Sequence, residues 1–189
     1  MISPLSTIQA LWVVWLLGWL LAAVSTAKTI AHESAASRLT YSAFTWAGAY
    51  MLFAQSNVLG FLLHPLYPSR NWISWTGAAL VAIGLSVAVW ARVYLGKLWS
   101  GTVTLKAEHT IIRSGPYGAV RHPIYSGLLL AVIGTAIVRG TRGSLVGVVL
   151  MGVAVVLKLR REERFLTEHL GAEYQSYQRD VPALIPRLW

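Results

Sequence analysis

The stretch 109–127 carries the densest set of side chains able to do chemistry, with two histidines, two arginines and two tyrosines around a Gly-Pro turn. It leads directly into an apolar segment through Arg121-His122-Pro123. Proline suits the first helical position, because its missing N–H would have no intrahelical partner there. We therefore predict a helix that starts at Pro123 with His122 at its entrance. The free N–H groups of that first turn would suit a carboxylate or phosphate, and a plain interfacial cap is the alternative.

A second group of polar residues lies further along the chain. Lys158, Arg161, Glu162 and Phe165 are spaced i, i+3, i+4 and i+7, which places them on one helical face. We predict that this helix runs to Leu170 and ends at a C′ glycine, residue 171. Glu162 lies roughly 7 to 8 Å beyond the preceding apolar run, at about 1.5 Å per residue. A carboxylate at that depth could hold a ligand ammonium, and a solvated helix with Glu/Arg pairs is the alternative.

The composition places these residues in a membrane protein. Hydrophobic residues make up 56% of the 189 positions, charged residues only 12%, and the mean hydropathy is +0.56. These values exceed what soluble domains normally show. Aromatic belts and packing account for the tryptophans of the first spans, namely Trp12, Trp15, Trp19, Trp46, Trp72 and Trp75.

Five apolar stretches predict about five transmembrane helices, since about 20 residues cross a hydrocarbon core. Three are long enough to span, at residues 5–27, 39–63 and 73–91. The remaining two, 124–138 and 143–157, are shorter and are joined by Arg139-Gly-Thr-Arg142, which predicts a helical hairpin. The sequence leaves open whether this hairpin crosses fully or dips partway. The first stretch has no basic region before it and is long, so we interpret it as a retained span and not a signal peptide.

The distribution of lysine and arginine predicts the orientation. With five crossings, every Lys and Arg except Arg70, Arg139 and Arg142 falls on one side of the membrane. Such residues are enriched in cytoplasmic loops. We expect the amino terminus outside, and the carboxyl terminus together with the polar residues of 109–127 and 158–170 in the cytoplasm.

Several classes of function are disfavoured. The net charge of +9 is spread over segments that the topology already collects on one face, so we expect membrane lipids and small anions as partners and no nucleic acid. Cysteine is absent, which excludes disulfides and thiolate metal sites, and we predict no metal. No Walker loop, dinucleotide fingerprint or His-Glu-x-x-His motif occurs, so we expect no Rossmann domain. No obligate protein partner is evident.

Taken together, the motifs resemble those of the isoprenylcysteine carboxyl methyltransferase family, within the wider group that includes phospholipid N-methyltransferases. The likeness covers about residues 92–186 and rests on three segments: Gly115-Pro-Tyr-x-x-x-Arg-His-Pro-x-Tyr-x-Gly127, Glu162-Glu163-x-x-Leu166, and Gly171-x-x-Tyr174-x-x-Tyr177 with Val181-Pro-x-x-Ile-Pro186. The resemblance implies an all-α membrane fold in which a cytoplasmic loop and C-terminal helices enclose S-adenosylmethionine. We expect an N-terminal three-helix region at 1–91 and a catalytic region at 92–189, integrated into one domain.

The resemblance also implies the residues of the cofactor site. Carried over by position, the cofactor contacts come from His109, Thr110, Ile111, Ile112, Tyr117, His122, Pro123, Ile124, Tyr125 and Glu162. One departure concerns the acceptor: the prenylcysteine enzymes place an arginine four residues before the cofactor glutamate, and this chain has Lys158. Lysine is a point charge without the bidentate fork of arginine. Arg161, Arg121 or Arg92 could substitute, so the predicted catalytic set is Lys158, Arg161 and Arg121.

The expected reaction needs few catalytic groups, because a substrate carboxylate with a pKa of about 3.5 is already ionised at neutral pH. We therefore predict carboxyl O-methylation of a prenylated or similarly lipidic acid. Phosphatidylethanolamine N-methylation is the alternative, and it requires a base such as His122, His109 or Glu163 to take a proton from the ammonium. Two further classes stay open, namely a membrane sterol-type reductase that uses NADPH and a non-catalytic membrane module. Pro186 and Trp189 suggest a C-terminal tail that lies on the interface.

Overall fold

The protein is mostly helical, as predicted, with one short β-ribbon in addition. The structure is a computed structural model that describes residues 2–24, 26–53, 60–106 and 110–187. The helices are α1 (Pro4–Ala23), α2 (Ala35–Phe53), α3 (Gly60–Leu63), α4 (Asn71–Leu95), α5 (Pro116–Ala119), α6 (Pro123–Arg139), α7 (Arg142–Leu170) and α8 (Ala172–Asp180). Strands β1 (Thr29–His32) and β2 (Thr104–Lys106) pair antiparallel, with Thr29 opposite Lys106 and His32 opposite Thr104.

Three of the described helices are long and apolar enough to cross a membrane. They are Pro4–Ala23, α4 with its continuation to Leu98, and Arg142–Leu170. The shorter apolar helix Pro123–Arg139 precedes the last of them in the chain. The predicted span at 39–63 corresponds to α2 and α3, and residues 54–59 between them lie outside the described residues. The number of crossings therefore stays a prediction.

The predicted hairpin of the last two apolar stretches is confirmed. Helix α6 ends at Arg139 and is followed by Gly140, whose φ of 59° is left-handed and favours glycine. Helix α7 begins at Arg142 and is capped by Thr141, whose side chain accepts a hydrogen bond from the Ser144 N–H at 3.2 Å. A turn built in this way returns the chain antiparallel to α6.

The bundle is packed by direct approach of helix backbones. A Cβ added to Gly84 of α4 would lie 2.4 Å from the carbonyl oxygen of Gly127 on α6, and a Cβ on Gly127 would lie 2.5 Å from that of Gly84. Gly77 and Gly134 form the same reciprocal contact one step along, at 2.7 and 2.6 Å. Glycines allow such approach in membranes, where lipid tails are as apolar as leucine and close packing must hold helices together. The α4–α6 pair is thus the centre of the fold.

Helix α7 has two parts with different surroundings. Its 29 residues span about 43 Å at about 1.5 Å per residue, which exceeds the thickness of a hydrocarbon core. The apolar first part packs on α2, where Gly48 and Gly147 approach as the α4 and α6 glycines do. The second part carries the charged residues and continues beyond the apolar run to Leu170, as predicted. Gly171 ends it with a φ of 59°.

Candidate active site

The site is built where α6 begins, and His122 lies at its centre. His122 is the residue that precedes the first turn of α6, and its side chain is 6% exposed. The ring lies between two carboxylates of α7: Nε2 is 3.2 Å from Oε1 of Glu163, and Nδ1 is 3.9 Å from Oε2 of Glu162. Because Glu162 and Glu163 are adjacent on a helix, they point about 100° apart and can hold both sides of one ring.

Tyr125 completes this arrangement from the first turn of α6. Its ring stacks on His122 with centroids 5.4 Å apart, and its hydroxyl donates to Oε2 of Glu162 at 2.6 Å. The second oxygen of Glu162 makes no hydrogen bond within the described part of the chain. Glu162 therefore lines the cavity with one oxygen that no described residue shares.

Arg121 joins three parts of the chain. Its Nη2 and Nε lie 2.6 and 2.7 Å from Oε1 of Glu163, and its Nη1 donates to the carbonyl oxygens of Gln178, at 3.0 Å, and Val181. A guanidinium with so many acceptors is committed to holding α7, α8 and the start of α6 together. The sequence predicts Arg121 as an acceptor-binding residue, whereas the structure gives its donors these intramolecular partners.

The segment after α8 hydrogen-bonds to the entrance of α6. The N–H groups of Arg121 and His122 donate to the carbonyl oxygens of Pro182, at 2.8 Å, and Ala183, at 3.0 Å. The hydroxyl of Ser126 donates to the carbonyl oxygen of Leu184 at 2.6 Å. Residues 182–184 are therefore part of the wall behind His122, and the tail on the membrane interface, suggested by Pro186 and Trp189, stays a prediction. The C-terminal tryptophan, residue 189, lies outside the described residues.

A cavity opens in front of these residues and collects most of the predicted cofactor set. Thr110, Ile111, Ile112, Tyr117, His122, Ile124, Tyr125 and Glu162 all line it. Pro123 does not line it and is buried in the first turn of α6. His109 lies outside the described residues. Tyr174 and Tyr177 from α8, which belong to the third motif of the resemblance, also line the cavity.

The predicted catalytic residues differ in position. Lys158, Glu162 and Leu166 line the cavity, and each is one helical turn from the next. Arg161 is exposed and does not line it, so the structure does not bring this residue to the site. The reason is the direction of the cavity, which faces the i, i+4, i+8 stripe of α7, whereas Arg161 points about 100° away from Glu162. Arg92, predicted as a substitute, is buried and donates to the carbonyl oxygens of Ala22 and Gly96.

Lys158 is held beneath the segment that leads into β2. Its Nζ donates to the carbonyl oxygen of Gly101 at 2.8 Å and lies 5.5 Å from the ring centroids of both Tyr41 and Tyr125. Aromatic faces attract an ammonium at this distance. On the far side of the same segment, the N–H of Val103 donates to Oε1 of Glu33 at 3.2 Å. The segment 99–104 is thus fixed over the cavity by α7 and by the strand-to-helix loop.

Three tryptophans form a wall that the sequence did not predict. Trp15 and Trp19 stack with centroids 4.7 Å apart, Trp19 meets Trp99 edge-on at 5.3 Å, and all three line the cavity. The indole N–H of Trp15 is buried without a hydrogen-bond partner among the described residues. The sequence indicates only packing or anchoring for Trp15 and Trp19. The signal that could have found them is their i, i+4 spacing near the C-terminal end of α1, which puts both side chains on one helical face.

Burial keeps the cavity tyrosines of the polar segments neutral. It raises the pKa of Tyr177 to about 12, and it raises the pKa of Tyr117 and Tyr174 further. The hydroxyl of Tyr177 donates to the carbonyl oxygen of Tyr117 at 2.6 Å. These groups therefore act as hydrogen-bond donors and apolar walls, and not as proton acceptors at neutral pH.

Comparison with known proteins defines the class. The chain is similar to protein-S-isoprenylcysteine O-methyltransferase B of Arabidopsis thaliana, with 25% identity over 158 residues and 80% of each chain covered. It is 30% identical over 128 residues to a probable protein-S-isoprenylcysteine O-methyltransferase of Oryza sativa subsp. japonica, covering 66% of this chain and 67% of the relative. The apolar helices and these relatives define a membrane methyltransferase.

The fold and the family agree with that class. The structure superimposes on the eukaryotic intramembrane Ras methyltransferase, an isoprenylcysteine carboxyl methyltransferase, with a TM-score of 0.58 and 22% identity. The match covers 79% of this chain and 53% of the solved one, so the chain spans about half the length of that enzyme. The model of the phospholipid methyltransferase family matches residues 72–173, more than half of the chain. The chain belongs to the phospholipid methyltransferase family, and its relatives place it on the isoprenylcysteine O-methyltransferase-like side of that group.

Proposed function

We propose that the protein binds S-adenosylmethionine in this cavity and methylates the carboxylate of an isoprenylcysteine-like or similarly lipidic acid. The observation that carries the proposal is Glu162, which lines the cavity with one oxygen that no described residue shares, while Tyr125 and His122 hold the second. The orientation that we infer from Lys and Arg puts this site in the cytoplasm, where the cofactor is available.

The residues present fit such a cofactor. An unshared carboxylate oxygen suits an ammonium, and the faces of Trp19, Trp99 and Tyr117 suit an aromatic base and a soft cation. Thr110, Ile111 and Ile112 line the same cavity and would supply a polar side chain and two apolar ones. When bound, S-adenosylmethionine supplies an activated methyl group on a sulfonium centre. The chain would hold and orient the reactants and exclude water from the acceptor carboxylate.

The polar contacts favour an acceptor that needs no base. Both ring nitrogens of His122 face carboxylates, and Glu163 is paired with Arg121 and His122. These groups are better placed to support Glu162 than to take a proton from an ammonium. Lys158 is the cavity cation nearest in sequence to Glu162, and an acceptor carboxylate would compete with the carbonyl oxygen of Gly101 for its Nζ. This arrangement supports O-methylation over N-methylation of phosphatidylethanolamine.

Cofactor binding is tested by calorimetric titration of the purified protein with S-adenosylhomocysteine and, separately, with NADPH. We expect binding of the first alone, and binding of NADPH alone would overturn the proposal in favour of a reductase. Glu162→Gln is expected to weaken S-adenosylhomocysteine binding about 10- to 100-fold, since hydrogen bonds to a charged group contribute roughly 1.5–3 kcal/mol. Glu168→Gln is the matched control, because Glu168 is exposed on the same helix and does not line the cavity.

His122 provides a second test of the same site. His122→Ala removes the ring that lies between Glu162 and Glu163, and we expect a comparable loss of cofactor affinity. His169→Ala is the control, because His169 lies on α7 outside the cavity and its ring contacts Phe165 of its own helix. Unchanged affinity in both Glu162→Gln and His122→Ala would refute the proposed cofactor site.

The acceptor is tested by transfer of labelled methyl in liposomes. The panel contains a farnesylcysteine analogue, a polyprenyl acid and phosphatidylethanolamine. We expect transfer to the two acids, and transfer to phosphatidylethanolamine alone would replace carboxyl methylation by amine methylation while leaving the cofactor site intact.

A further inference from the structure

A second groove lies behind Arg121, on the opposite side of that residue from the proposed cofactor cavity. It is bounded by the charged part of α7, the end of α8 and the segment that follows. Its lining comprises Arg121, Leu159, Arg160, Glu163, Gln178, Arg179, Asp180, Val181, Pro182, Ala183 and Arg187. Only Arg121 is shared with the first cavity.

The charges of this groove are unbalanced toward the positive. Arg160, Arg179 and Arg187 are exposed, and within the described ranges none of them makes a hydrogen bond or an ion pair. The acidic residues are already engaged. Glu163 is paired with Arg121 at 2.6 Å, and Oδ2 of Asp180 lies 3.3 Å from Arg113. Three guanidinium groups without an ion pair therefore face a groove whose two carboxylates each have a cationic partner.

The depth of the groove matches the layer of lipid head groups. Arg160 lies three residues beyond the apolar run that ends at residue 157, which is about 4 to 5 Å at about 1.5 Å per helical residue. Head groups and the interfacial region occupy roughly 5 to 7 Å on each side of the hydrocarbon core. The guanidinium group of Arg160 is thus at the level where lipid phosphates lie, and Arg179 and Arg187 line the same groove.

The floor of the groove is apolar. Leu159 and Ala183 are buried beneath it, and Pro182 lies beside them. Ile185, just after the floor, is 52% exposed. An anion that carries its own hydrocarbon would satisfy both the charges and this apolar surface, whereas a free inorganic anion would use only the charges.

We propose that this groove binds the phosphate of an anionic phospholipid head group, held by Arg160, Arg179 and Arg187. Guanidinium groups bind phosphate oxygens through paired hydrogen bonds, which gives them selectivity for this group over a zwitterionic surface. The proposal does not depend on the identity of the methyl acceptor, because the bound lipid is a ligand of the groove and not of the cavity.

The test measures retention of phosphatidylglycerol and phosphatidylcholine by the purified full chain in detergent, using native mass spectrometry across a lipid titration. We expect the unmodified protein to prefer phosphatidylglycerol. The double variant Arg160→Gln/Arg179→Gln is expected to bind it about tenfold or more weakly, since each cation near an anionic lipid contributes substantially. Phosphatidylcholine binding should change little.

The matched control is Lys28→Gln/Arg164→Gln, which removes the same number of positive charges from exposed positions that do not line the groove. Equal phosphatidylglycerol affinity in the unmodified protein and the groove variant would overturn the proposal, as would an equal loss in the control. Displacement of the lipid by inorganic phosphate at equal concentration would overturn the lipid assignment in favour of a soluble anion. If the double variant does not fold, Arg179→Gln alone carries the same comparison. S-adenosylhomocysteine binding is measured in parallel on the same variants. Loss of lipid selectivity with intact cofactor binding, or the opposite result, therefore tells the two proposals apart.

Discussion

Different interactions hold the apolar length of α6 and its entrance. Along its apolar length, Gly127 and Gly134 place backbone against backbone with α4. At its entrance, Arg121 and His122 are held by charged side chains of α7 and by carbonyl groups of the C-terminal segment. We call the first part the glycine-packed bundle and the second the polar entrance. Shape is the constraint in the first, and pairing of charges and donors is the constraint in the second.

The comparison predicts which kind of substitution each region tolerates. Adding one methyl group should damage the glycine-packed bundle, although it introduces no polarity. The polar entrance should tolerate small changes of volume and should be sensitive to loss of a single donor or charge.

The largest effect is expected from breaking the polar entrance at Arg121. Arg121→Gln leaves the poorly exposed carboxylate of Glu163 without its main partner, and removing one member of such a pair costs about 3–5 kcal/mol. We expect a loss of this order in the free energy of unfolding in mixed micelles. Arg164→Gln, an exposed change on α7, should be nearly neutral. The pair itself is tested by Arg121→Met/Glu163→Leu, which should recover only the part of the loss that comes from the unpaired carboxylate, because the carbonyl oxygens of Gln178 and Val181 still lack their donor. A neutral Arg121→Gln would show that the entrance is not held by charge.

The glycine-packed bundle is tested by Gly127→Ala. The added Cβ would lie 2.5 Å from the carbonyl oxygen of Gly84 and 2.8 Å from the amide of Ala88, so the two helices must separate. Overpacking of this kind costs about 1–3 kcal/mol in unfolding free energy. Gly152→Ala is the control in the same bundle, because nothing lies within 4 Å of its added Cβ. It should be neutral or stabilising by up to about 1 kcal/mol. Equal effects at the two glycines would refute backbone contact as the reason for Gly127.

A third prediction separates the entrance from the cavity in front of it. Lys158→Ala should raise the KM for the acceptor about tenfold and leave S-adenosylhomocysteine affinity nearly unchanged, because Lys158 is assigned to the acceptor carboxylate. Lys158→Arg restores a bidentate fork and should give a KM for the acceptor below that of the unmodified protein. The control is Lys97→Ala, at an exposed position that does not line the cavity. Loss of cofactor affinity in Lys158→Ala, with KM unchanged, would move Lys158 from the acceptor to the cofactor side.

The smallest expected effect is loss of one neutral donor beside the polar entrance, where α8 meets α5. Tyr177→Phe removes the hydroxyl that donates to the carbonyl oxygen of Tyr117 and leaves the ring in place. A single neutral hydrogen bond contributes about 0.5–1.5 kcal/mol, so a loss of that size in the free energy of unfolding is expected. Tyr50→Phe is the control, because Tyr50 is an exposed tyrosine of α2. A loss as large as that of Arg121→Gln would contradict the ranking of charge over neutral donors.

The sequence predicted local features of the fold well. The start of α6 at Pro123, the turn between Arg139 and Arg142, and the end of α7 before Gly171 are confirmed, because each depends on a cap or breaker within a few residues. The β-ribbon was not predicted. Its two short strands are far apart in the chain, and neither has a pattern long enough to indicate pairing.

The candidate site was predicted in part, because some of its residues lie in local motifs and others come together only through packing of distant segments. The resemblance placed His122, Tyr125 and Glu162 together, and the structure brings them to one cavity. It missed Trp15 and Trp19, since membrane tryptophans have an adequate explanation in anchoring. Arg161 was included because helical periodicity defines a broad face, while the cavity meets only the narrower stripe of Lys158, Glu162 and Leu166. Packing against α2 and the segment 99–104 fixes that direction, and this information is not local.

The hydrogen bonds from the α6 entrance to residues 182–184 have a consequence for biosynthesis. Chains emerge from the ribosome in sequence order, and regions made first can fold first. The contact of α4 with α6 needs no residue beyond Arg139, whereas the wall behind His122 is absent until Leu184 has been translated. A nascent chain inserted in the membrane would therefore acquire its central helix pair before the proposed cofactor site. A ribosome stalled before residue 182 would display an assembled but inactive bundle.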